Sequence, residues 1–202
     1  TTLFRSMAQQ LTMPAHKVIV CNALSVDELA LVEPLAVGLH AARRAQINVG
    51  EWVAVIGCGV IGLGAIAAAS AMGARVIAID IDDRKRNIAL ECGAQRFLNS
   101  QQCDVAAELV LLNDGRGPEV VIEAVGNQQT IEQATGLVAF SGRVVYVGYA
   151  KQPVSYQSAQ FLMKELDIRG SRNATVADFR AVLALMESGR YPVSNLVSAH
   201  YP

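Results

Sequence analysis

The sequence lacks a strong excess of charge of either sign and any long uninterrupted apolar run. Its 17 Lys and Arg residues nearly balance its 18 Asp and Glu residues, so the formal net charge is −1. Without a basic excess, the chain has little electrostatic attraction for nucleic acids or for anionic membrane surfaces. The most apolar stretch, 53–74, is interrupted by glycine, cysteine and serine, which fits a strand followed by a helix better than a membrane span. We therefore expect neither a nucleic acid nor a membrane as a partner.

Cysteine is scarce and scattered. The four cysteines, Cys21, Cys58, Cys92 and Cys103, form no C-x-x-C pair and have no histidine nearby at metal-ligand spacing. This pattern predicts small, separate, buried or half-buried thiols in a reducing compartment, which we take to be the cytoplasm. Cys58 stands between two glycines, where a small residue is needed. A redox role for Cys58 is the less favoured alternative, because no neighbouring residue in the sequence would lower its pKa.

A glycine-rich turn between an apolar strand and a small-residue helix is the most informative feature of the chain. Gly57, Gly59 and Gly62 form the pattern G-x-G-x-x-G. In a dinucleotide site the first glycine permits the tight turn, the second leaves room for the pyrophosphate, and the third lets the helix lie close to the sheet. The N–H groups at the start of the helix, near Val60 and Ile61, can bind phosphate.

Asp80 ends the apolar strand that follows this helix. Its carboxylate can accept both hydroxyl hydrogen bonds of an adenosine ribose and would repel a 2′-phosphate, so the pattern favours NAD over NADP. Two alternatives remain open: a βαβ unit with a glycine turn and no ligand, and a methyltransferase-type fold. The latter also has an acid after its second strand, but its loop usually lacks the third glycine.

Apolar segments and helical segments alternate through the rest of the chain. Apolar residues make up 52% of the sequence, as in proteins whose sheet is covered on both faces. The predicted strands are 52–56, 75–80, 96–98, 120–123, 143–147 and 166–170, and the predicted helices are 60–72, 83–92, 104–113, 128–138 and 175–188. This alternation predicts an α/β fold with a doubly wound parallel sheet of the Rossmann type, in the strand order 3-2-1-4-5-6.

Two helix starts are predicted upstream of the sheet. Ser25 is a good cap for one helix, with Asp27 and Glu28 in its first turn. Pro34 suits the first position of a second helix, with Glu33 just before it.

The ordered set of motifs resembles the coenzyme half of a zinc-dependent medium-chain dehydrogenase, closest to the polyol, sorbitol and sugar-acid branch. The motifs that carry the resemblance are ALSVDELALVEPLAVGLHAARRA (23–45), VAVIGCGVIGLG (53–64), VIAIDIDDRK (76–85), VIEAVGN (121–127), RVVYVGY (143–149) and IRGSRNAT (168–175). The resemblance implies hydride transfer between NAD and the secondary hydroxyl of a polyol or sugar acid, with a catalytic zinc that lowers the pKa of the alcohol.

The resemblance also divides the chain into two parts. Residues 1–22 would be a remnant of a β-rich N-terminal catalytic domain, of which residues 1–6 could be a foreign scar. Residues 23–202 would be the NAD-binding domain, with a truncated C terminus. The family's zinc ligands include a Cys and a Gly-His-Glu segment in the N-terminal domain, and this sequence has neither. We therefore expect the chain on its own to bind coenzyme without turnover. The alternatives are a non-catalytic nucleotide-binding module and a zinc-independent NADPH reductase of the same superfamily.

Glu33 matches the family position that faces the zinc, which implies a catalytic and metal-binding role for its carboxylate. On local grounds alone, Glu33 would be a helix-start acid favoured by the helix dipole. His40 could share a helix face with Glu33, but a histidine packed at an interface is the favoured interpretation.

Several further residues are predicted to contact the coenzyme. Ligands bind at the carboxyl ends of parallel strands, which selects Val125 and Gly126 after the fourth strand, and Val147, Gly148 and Tyr149 after the fifth. Ordinary strand-end turns would explain the two glycines equally well. The resemblance adds Lys85, near the adenosine ribose, and Ser171, Arg172 and Asn173, near the nicotinamide and the substrate.

Two implications of the resemblance concern the substrate and the assembly. Arg172 could pair with a substrate carboxylate, which would make it a catalytic-site residue, although a structural salt bridge is the alternative. Lys85, flanked by Arg84 and Arg86, would tolerate a 2′-phosphate, against the preference expected from Asp80. The family commonly joins sixth strands across a dimer, so we expect a homodimer or homotetramer formed near 166–170, where an apolar strand would otherwise be exposed.

Overall fold

The computed structural model describes residues 10, 12–191 and 196–197. Six parallel strands form one sheet: β1 (Trp52–Ile56), β2 (Arg75–Asp80), β3 (Ala94–Asn99), β4 (Val120–Glu123), β5 (Arg143–Tyr146) and β6 (Asp167–Gly170). Their order is β3-β2-β1-β4-β5-β6. The predicted fold class and strand order are therefore confirmed.

Seven α-helices accompany the sheet in the described part of the chain: α1 (Val26–Arg44), α2 (Val60–Ala71), α3 (Arg86–Glu91), α4 (Val105–Val110), α5 (Gln128–Leu137), α6 (Ser158–Met163) and α7 (Val176–Glu187). Short 3-10 turns cover Ala15–Lys17 and Asp83–Lys85. Among these helices, none is long and apolar enough to cross a membrane.

The two faces of the sheet carry separate hydrophobic cores. Val53, Val55 and Val76 point to the face covered by α1, α2, α3 and α7. Ala54 and Ile77 alternate with them and point to the opposite face, covered by α4 and α5. Burial on both faces explains why the central strands are continuously apolar rather than alternating with polar residues.

The prediction of two separate upstream helices is wrong, because α1 runs unbroken from Val26 to Arg44 with Pro34 inside it. Proline removes one helical hydrogen bond, and local sequence reasoning therefore favoured a helix start at this position. The continuous helix is stabilised elsewhere: a capping box joins Ser25 and Glu28, and Leu35 and Leu39 are buried in the core.

Close contact between α1 and α2 adds to this stabilisation. A Cβ atom on Gly38 would lie 2.3 Å from the carbonyl oxygen of Ile61, and one on Gly64 would lie 3.1 Å from Cα of Leu35. The two glycines let the helix backbones approach each other directly. This contact fixes α1 against the helix that follows the glycine turn.

Other differences from the expected elements are smaller. Helix α6 was not predicted, and its six residues have none of their side chains buried, so it leaves no clear amphipathic pattern in the sequence. Strand β3 extends beyond its predicted range at both ends, to Ala94 and Asn99. Helix α7 is capped by Thr175, which forms a capping box with Asp178.

Candidate functional site

The glycine turn leaves the carboxyl end of β1 in a conformation that requires glycine. Gly57 has φ +97°, in the left-handed region, and a Cβ there would lie 2.7 Å from the Cγ2 of Val125. A Cβ on Gly62 would lie 1.8 Å from the carbonyl oxygen of Gly57. Gly59 is exposed, and a Cβ there would have no atom within 4 Å. The outer surface of the turn is thus open to a ligand backbone.

The amino terminus of α2 presents free N–H groups beside this turn. The first hydrogen bond of the helix joins Leu63 N–H to the Gly59 carbonyl at 2.8 Å, and no side chain caps the helix. Within the described residues, the N–H groups of Val60 and Ile61 have no acceptor. With the positive end of the helix dipole, they form a site suited to an anion such as phosphate.

Asp80 lies at the end of β2, next to the same turn. Its Oδ2 accepts a hydrogen bond from the Cys58 N–H at 2.6 Å, and its Oδ1 accepts one from the Asp82 N–H at 3.0 Å. The carboxylate is partly exposed and keeps further lone pairs for a ligand. Asp80 therefore also anchors the glycine turn itself, a structural role that the sequence had not indicated.

Cys58 is buried inside the turn. Burial, with the negative charge of Asp80 as a lesser cause, raises the pKa of its thiol to about 12. A thiol with so high a pKa is a poor nucleophile at neutral pH, so the structure disfavours a redox role.

The basic residues after β2 are mostly paired with nearby acids. Arg84 binds Asp82 through its Nε at 2.9 Å, and this hydrogen bond holds the pKa of Asp82 below its ordinary value. Arg86 binds Asp83 at 2.7 Å. Lys85 is exposed and has no ion pair among the residues that the structure describes. The cluster therefore carries little unpaired positive charge.

The turns after β4 and β5 touch each other. A Cβ on Gly126 would lie 2.6 Å from the Tyr149 nitrogen, and one on Gly148 would lie 2.3 Å from the Gly126 nitrogen. Gly126 also has φ +80°. Val125 and Tyr149 are exposed, and Val147 is partly buried. Both glycines are therefore required by close backbone packing.

The turn after β6 lies beside the turn after β5, because β6 is the neighbour of β5 in the sheet. Ser171 N–H donates to the Tyr146 carbonyl at 2.8 Å, while its buried Oγ has no partner within the described part of the chain. Arg172 and Asn173 are exposed, and Asn173 has φ +57°. No salt bridge of Arg172 is found among the described residues, so the structural salt bridge weighed for it is not observed there.

Strand register brings these turns to one edge. Ile56 of β1 pairs with Glu123 of β4, Glu123 with Tyr146 of β5, and Tyr146 with Gly170 of β6. The segments 57–62, 124–126, 147–149 and 171–173 therefore leave the sheet at the same level. This edge is the carboxyl edge of a parallel sheet, and the glycine turn lies where the strand order reverses.

A cleft of about 930 Å³ opens beside this edge, on the side of α4 and α5. Its wall includes Ile81 after β2, Ser100 and Gln101 after β3, and Asn127 and Thr130 after β4. The sequence analysis missed these residues. Their position directly after predicted strands was the signal that could have identified them.

Glu33 is exposed on α1, two residues before the Leu35 that packs on Gly64 of α2. The interpretation of Glu33 as a helix-start acid is wrong, because the helix begins at Val26. The described residues contain no group of three or more His, Cys, Asp or Glu side chains able to hold a metal. These residues therefore do not form a zinc site on their own.

His40 packs against α7. Its Nδ1 lies 2.8 Å from Oδ2 of Asp178, and Arg43 donates to Oδ1 at 2.7 Å. Asp178 is 1% exposed and also accepts hydrogen bonds from Thr175. The favoured interpretation of His40, a histidine packed at an interface, agrees with this contact.

We expect Asp178→Asn to lower the free energy of unfolding by about 2 kcal/mol at pH 7, because it removes a buried charge that accepts charged hydrogen bonds. Burial alone would raise the pKa of Asp178, but hydrogen bonds from Thr175, Arg43 and His40 hold it below the ordinary value. The stabilisation is thus complete above the unfolded pKa of about 3.9 and is lost as pH falls through the lower folded pKa.

Urea unfolding between pH 7 and pH 3 measures this effect. The difference between the native chain and Asp178→Asn should shrink below about pH 4. Asp114→Asn, at a fully exposed carboxylate, is the control and should change stability by less than about 0.5 kcal/mol. A difference that stays constant over the whole pH range would contradict the assignment.

Known proteins resemble this chain in sequence and in structure. Residues 60–188 match the family described as zinc-binding dehydrogenase. The chain is 34% identical over 195 residues to the L-galactonate-5-dehydrogenase of Escherichia coli (strain K12), a match covering 96% of this chain and 57% of that protein. It is 34% identical over 151 residues to the sorbitol dehydrogenase of Bacillus subtilis (strain 168), covering 74% of this chain and 43% of that protein.

The solved structure of a protein described as a zinc-binding dehydrogenase, from Sinorhizobium meliloti 1021 and bound to NADP, superposes on this chain with a TM-score of 0.80. The two sequences are 31% identical, and the match covers 89% of this chain and 54% of that one. The chain thus spans about half the length of the relatives it matches.

Proposed function

Because the chain belongs to the zinc-binding dehydrogenase family, we propose that it is the coenzyme-binding half of an NAD-dependent, zinc-assisted alcohol dehydrogenase that oxidises a secondary hydroxyl of a polyol or sugar acid. The main observation behind the proposal is the open glycine turn at the point where the strand order of the sheet reverses, with the Asp80 carboxylate beside it. The names of two relatives, which refer to L-galactonate and sorbitol, support the substrate class.

In this proposal the coenzyme extends along the carboxyl edge of the sheet. The diphosphate lies over Gly57, Gly59 and Gly62 and accepts hydrogen bonds from the N–H groups of Val60 and Ile61. Asp80 binds the adenosine ribose, and the cleft lined by Ile81, Ser100 and Asn127 receives the adenine. When bound, the nicotinamide ring supplies the position that takes up hydride.

The chain's own residues would orient the nicotinamide half. The backbones of Val125, Gly126, Val147, Gly148 and Tyr149 are proposed to flank its ribose and ring, and Ser171, Arg172 and Asn173 to contact its amide and the substrate. Arg172 would pair with a substrate carboxylate if the substrate is a sugar acid. The unpartnered Oγ of Ser171 supports a polar ligand at this turn.

The preference for NAD is supported by charge. Asp80 would repel a 2′-phosphate, and Arg84 and Arg86 are already paired with acids. Lys85 is the remaining basic side chain proposed to lie near the ribose. The relative bound to NADP is the specific observation that favours the alternative coenzyme, NADP.

Glu33 is proposed to offer one carboxylate to a zinc site in the whole protein. The described residues supply no other ligand group with it, so the remaining ligands would have to come from elsewhere.

The assembly proposed is a homodimer or homotetramer formed through β6. This strand is the last in the sheet order, and Ile168 on it is 40% exposed. Pairing with a second copy would protect this edge, which otherwise presents unpaired backbone groups. The free cysteines among the described residues support a cytoplasmic location.

Calorimetric titration of the 202-residue chain tests the proposal. NADH is expected to bind saturably at one site per chain, and more tightly than NADPH. With added zinc and either sorbitol or L-galactonate, we expect no turnover, because the described residues hold no complete metal site. A folded chain that takes up neither coenzyme overturns the proposal, tighter binding of NADPH favours the reductase, and zinc-dependent turnover would show that the reaction half is present.

A further inference from the structure

Glu123, the last residue of β4, is a fully buried carboxylate at the carboxyl edge of the sheet. Its Oε1 accepts hydrogen bonds from the N–H groups of Val125 and Gly126, both at 2.9 Å, and from Oγ1 of Thr130 at 2.7 Å. One carboxylate oxygen therefore holds the whole turn that follows β4 and the first turn of α5. Such bonds are stronger to a charged acceptor than to a neutral one.

The main chain of Glu123 holds the neighbouring turn. Its carbonyl oxygen accepts hydrogen bonds from the N–H groups of Val147 at 2.9 Å and Gly148 at 3.1 Å. Side chain and backbone together thus bind five donors, all from the turn after β4 with its helix start or from the turn after β5. No other residue in the described structure joins these two turns in this way.

The second carboxylate oxygen completes the arrangement. Oε2 of Glu123 is buried and has no hydrogen-bond partner within the described residues. A Cβ on Gly148 would lie 2.7 Å from this oxygen. Burying a carboxylate oxygen without a partner costs free energy, so stability alone does not account for a glutamate at this position.

We propose that Glu123 is a positioning residue for coenzyme binding: it sets the separation of the Val125–Gly126 turn from the Gly148–Tyr149 turn. This inference rests on the proposed function, in which the two turns form the floor under the nicotinamide half. Glu123 does not touch the ligand and acts through the backbones that it holds. Weakening the hydrogen bonds of Glu123 would therefore reduce the binding of the nicotinamide half of the coenzyme more than the binding of the adenosine half.

Glu119 provides a matched control at the opposite end of the same strand. Its Oε2 accepts a hydrogen bond from the Trp52 N–H at 2.8 Å, and its Oε1 accepts one from Nδ2 of Asn113 at 2.7 Å. Like Glu123, it is a glutamate that binds the main chain of a neighbouring segment. It lies at the amino edge of the sheet, away from the proposed coenzyme.

The test compares Glu123→Gln with Glu119→Gln in the 202-residue chain, after NADH binding by the native chain has been established. We expect Glu123→Gln to weaken the binding of NADH about tenfold and the binding of 5′-AMP, which has only the adenosine half, by less than about twofold. A neutral amide accepts the hydrogen bonds of the Val125–Gly126 turn less strongly than a carboxylate, so this turn is held less firmly against the turn after β5. Glu119→Gln should leave both affinities within about twofold. Circular dichroism and thermal melting establish that each variant is folded.

Unchanged NADH affinity in a folded Glu123→Gln chain would overturn the inference, as would an equal loss for 5′-AMP or for Glu119→Gln. If Glu123→Gln does not fold, Thr130→Val and Thr130→Ser decide the matter. Removal of the hydroxyl donor by valine should weaken the binding of NADH about threefold and leave the binding of 5′-AMP within about 1.5-fold, whereas serine should preserve both affinities. Thr130 also lies in the wall of the cleft, so an equal loss of 5′-AMP affinity would point to the adenine half and overturn the inference. Equal affinities of these two variants would overturn the inference. Failure of the native chain to bind NADH would instead refute the proposed function.

Discussion

Replacing Asp80 by alanine is expected to weaken NADH binding about a hundredfold, and NADPH binding much less. Loss of charge-assisted hydrogen bonds to a ligand costs about 1.5–3 kcal/mol, and 2.7 kcal/mol corresponds to a hundredfold. For NADPH, the same substitution removes the carboxylate that would repel its 2′-phosphate, and this gain offsets part of the loss. The selectivity should therefore move toward NADPH.

The structure adds a second reason for the large effect on NADH. Asp80 accepts the Cys58 N–H within the glycine turn, so alanine would also release the turn from β2. This second loss is common to both coenzymes, whereas the ribose contact distinguishes them. The ratio of the two affinities is thus a cleaner measure of the ribose contact than either affinity alone.

Calorimetric titration with both coenzymes measures this ratio. Asp114→Asn removes one negative charge from an exposed carboxylate in the loop before β4 and serves as the control for net charge. It should leave the ratio unchanged within about twofold, because the Asp114 carboxylate is exposed and its charge is screened by water and salt. Equal losses of NADH and NADPH on Asp80→Ala would contradict the assignment of Asp80 to the ribose.

The second large effect is expected for Gly62→Ala. The new Cβ would lie 1.8 Å from the Gly57 carbonyl oxygen and 2.9 Å from the Gly57 carbonyl carbon. Both contacts are with backbone, so no rotation of a side chain can relieve them. Helix α2 must move away from the turn, and we expect NADH affinity to fall more than about a hundredfold and stability to fall by about 2–3 kcal/mol.

Gly136→Ala is the matched control for this substitution. Gly136 lies within α5, and a Cβ there would meet no atom within 4 Å. Alanine is the better helix former, so this variant should be more stable by about 0.5–1 kcal/mol. Gly136 borders the cleft beside α5, so the variant is a control for stability and not for coenzyme affinity. Thermal melting distinguishes the two glycines, and calorimetry measures the NADH affinity of Gly62→Ala. Native-like binding by Gly62→Ala would refute the proposed path of the diphosphate.

The fold and the family could be predicted from the sequence because their signals are local and regular. Short apolar runs separated by helical segments predicted the six strands and their order, which the sheet confirms. The family resemblance, which rested on motifs spread along nearly the whole chain, is confirmed by the relatives. The turn at Gly57 was identified from its own residues, since a tight turn needs glycine wherever it occurs.

The prediction of a helix start at Pro34 failed because contacts between residues distant in the chain override the local preference of proline. Pro34 is a good helix start when judged by its neighbours alone, yet α1 continues through it, with Leu35 and Leu39 buried in the core. The helix loses one hydrogen bond, and the buried apolar surface outweighs that loss. Helix propensity is a weak prior that tertiary contacts override.

The sequence by itself determined the positions of the strands along the chain, the glycine turn and the acid at the end of β2, because each depends on residues close together in the chain. The tertiary structure alone decided which N–H groups donate hydrogen bonds to Asp80 and Glu123. Asp80 reaches the Cys58 N–H only because β2 lies beside β1, and Glu123 meets Gly148 only because β4 lies beside β5. Hydrogen bonds form over about 3 Å, so partners distant in sequence cannot be read from spacing.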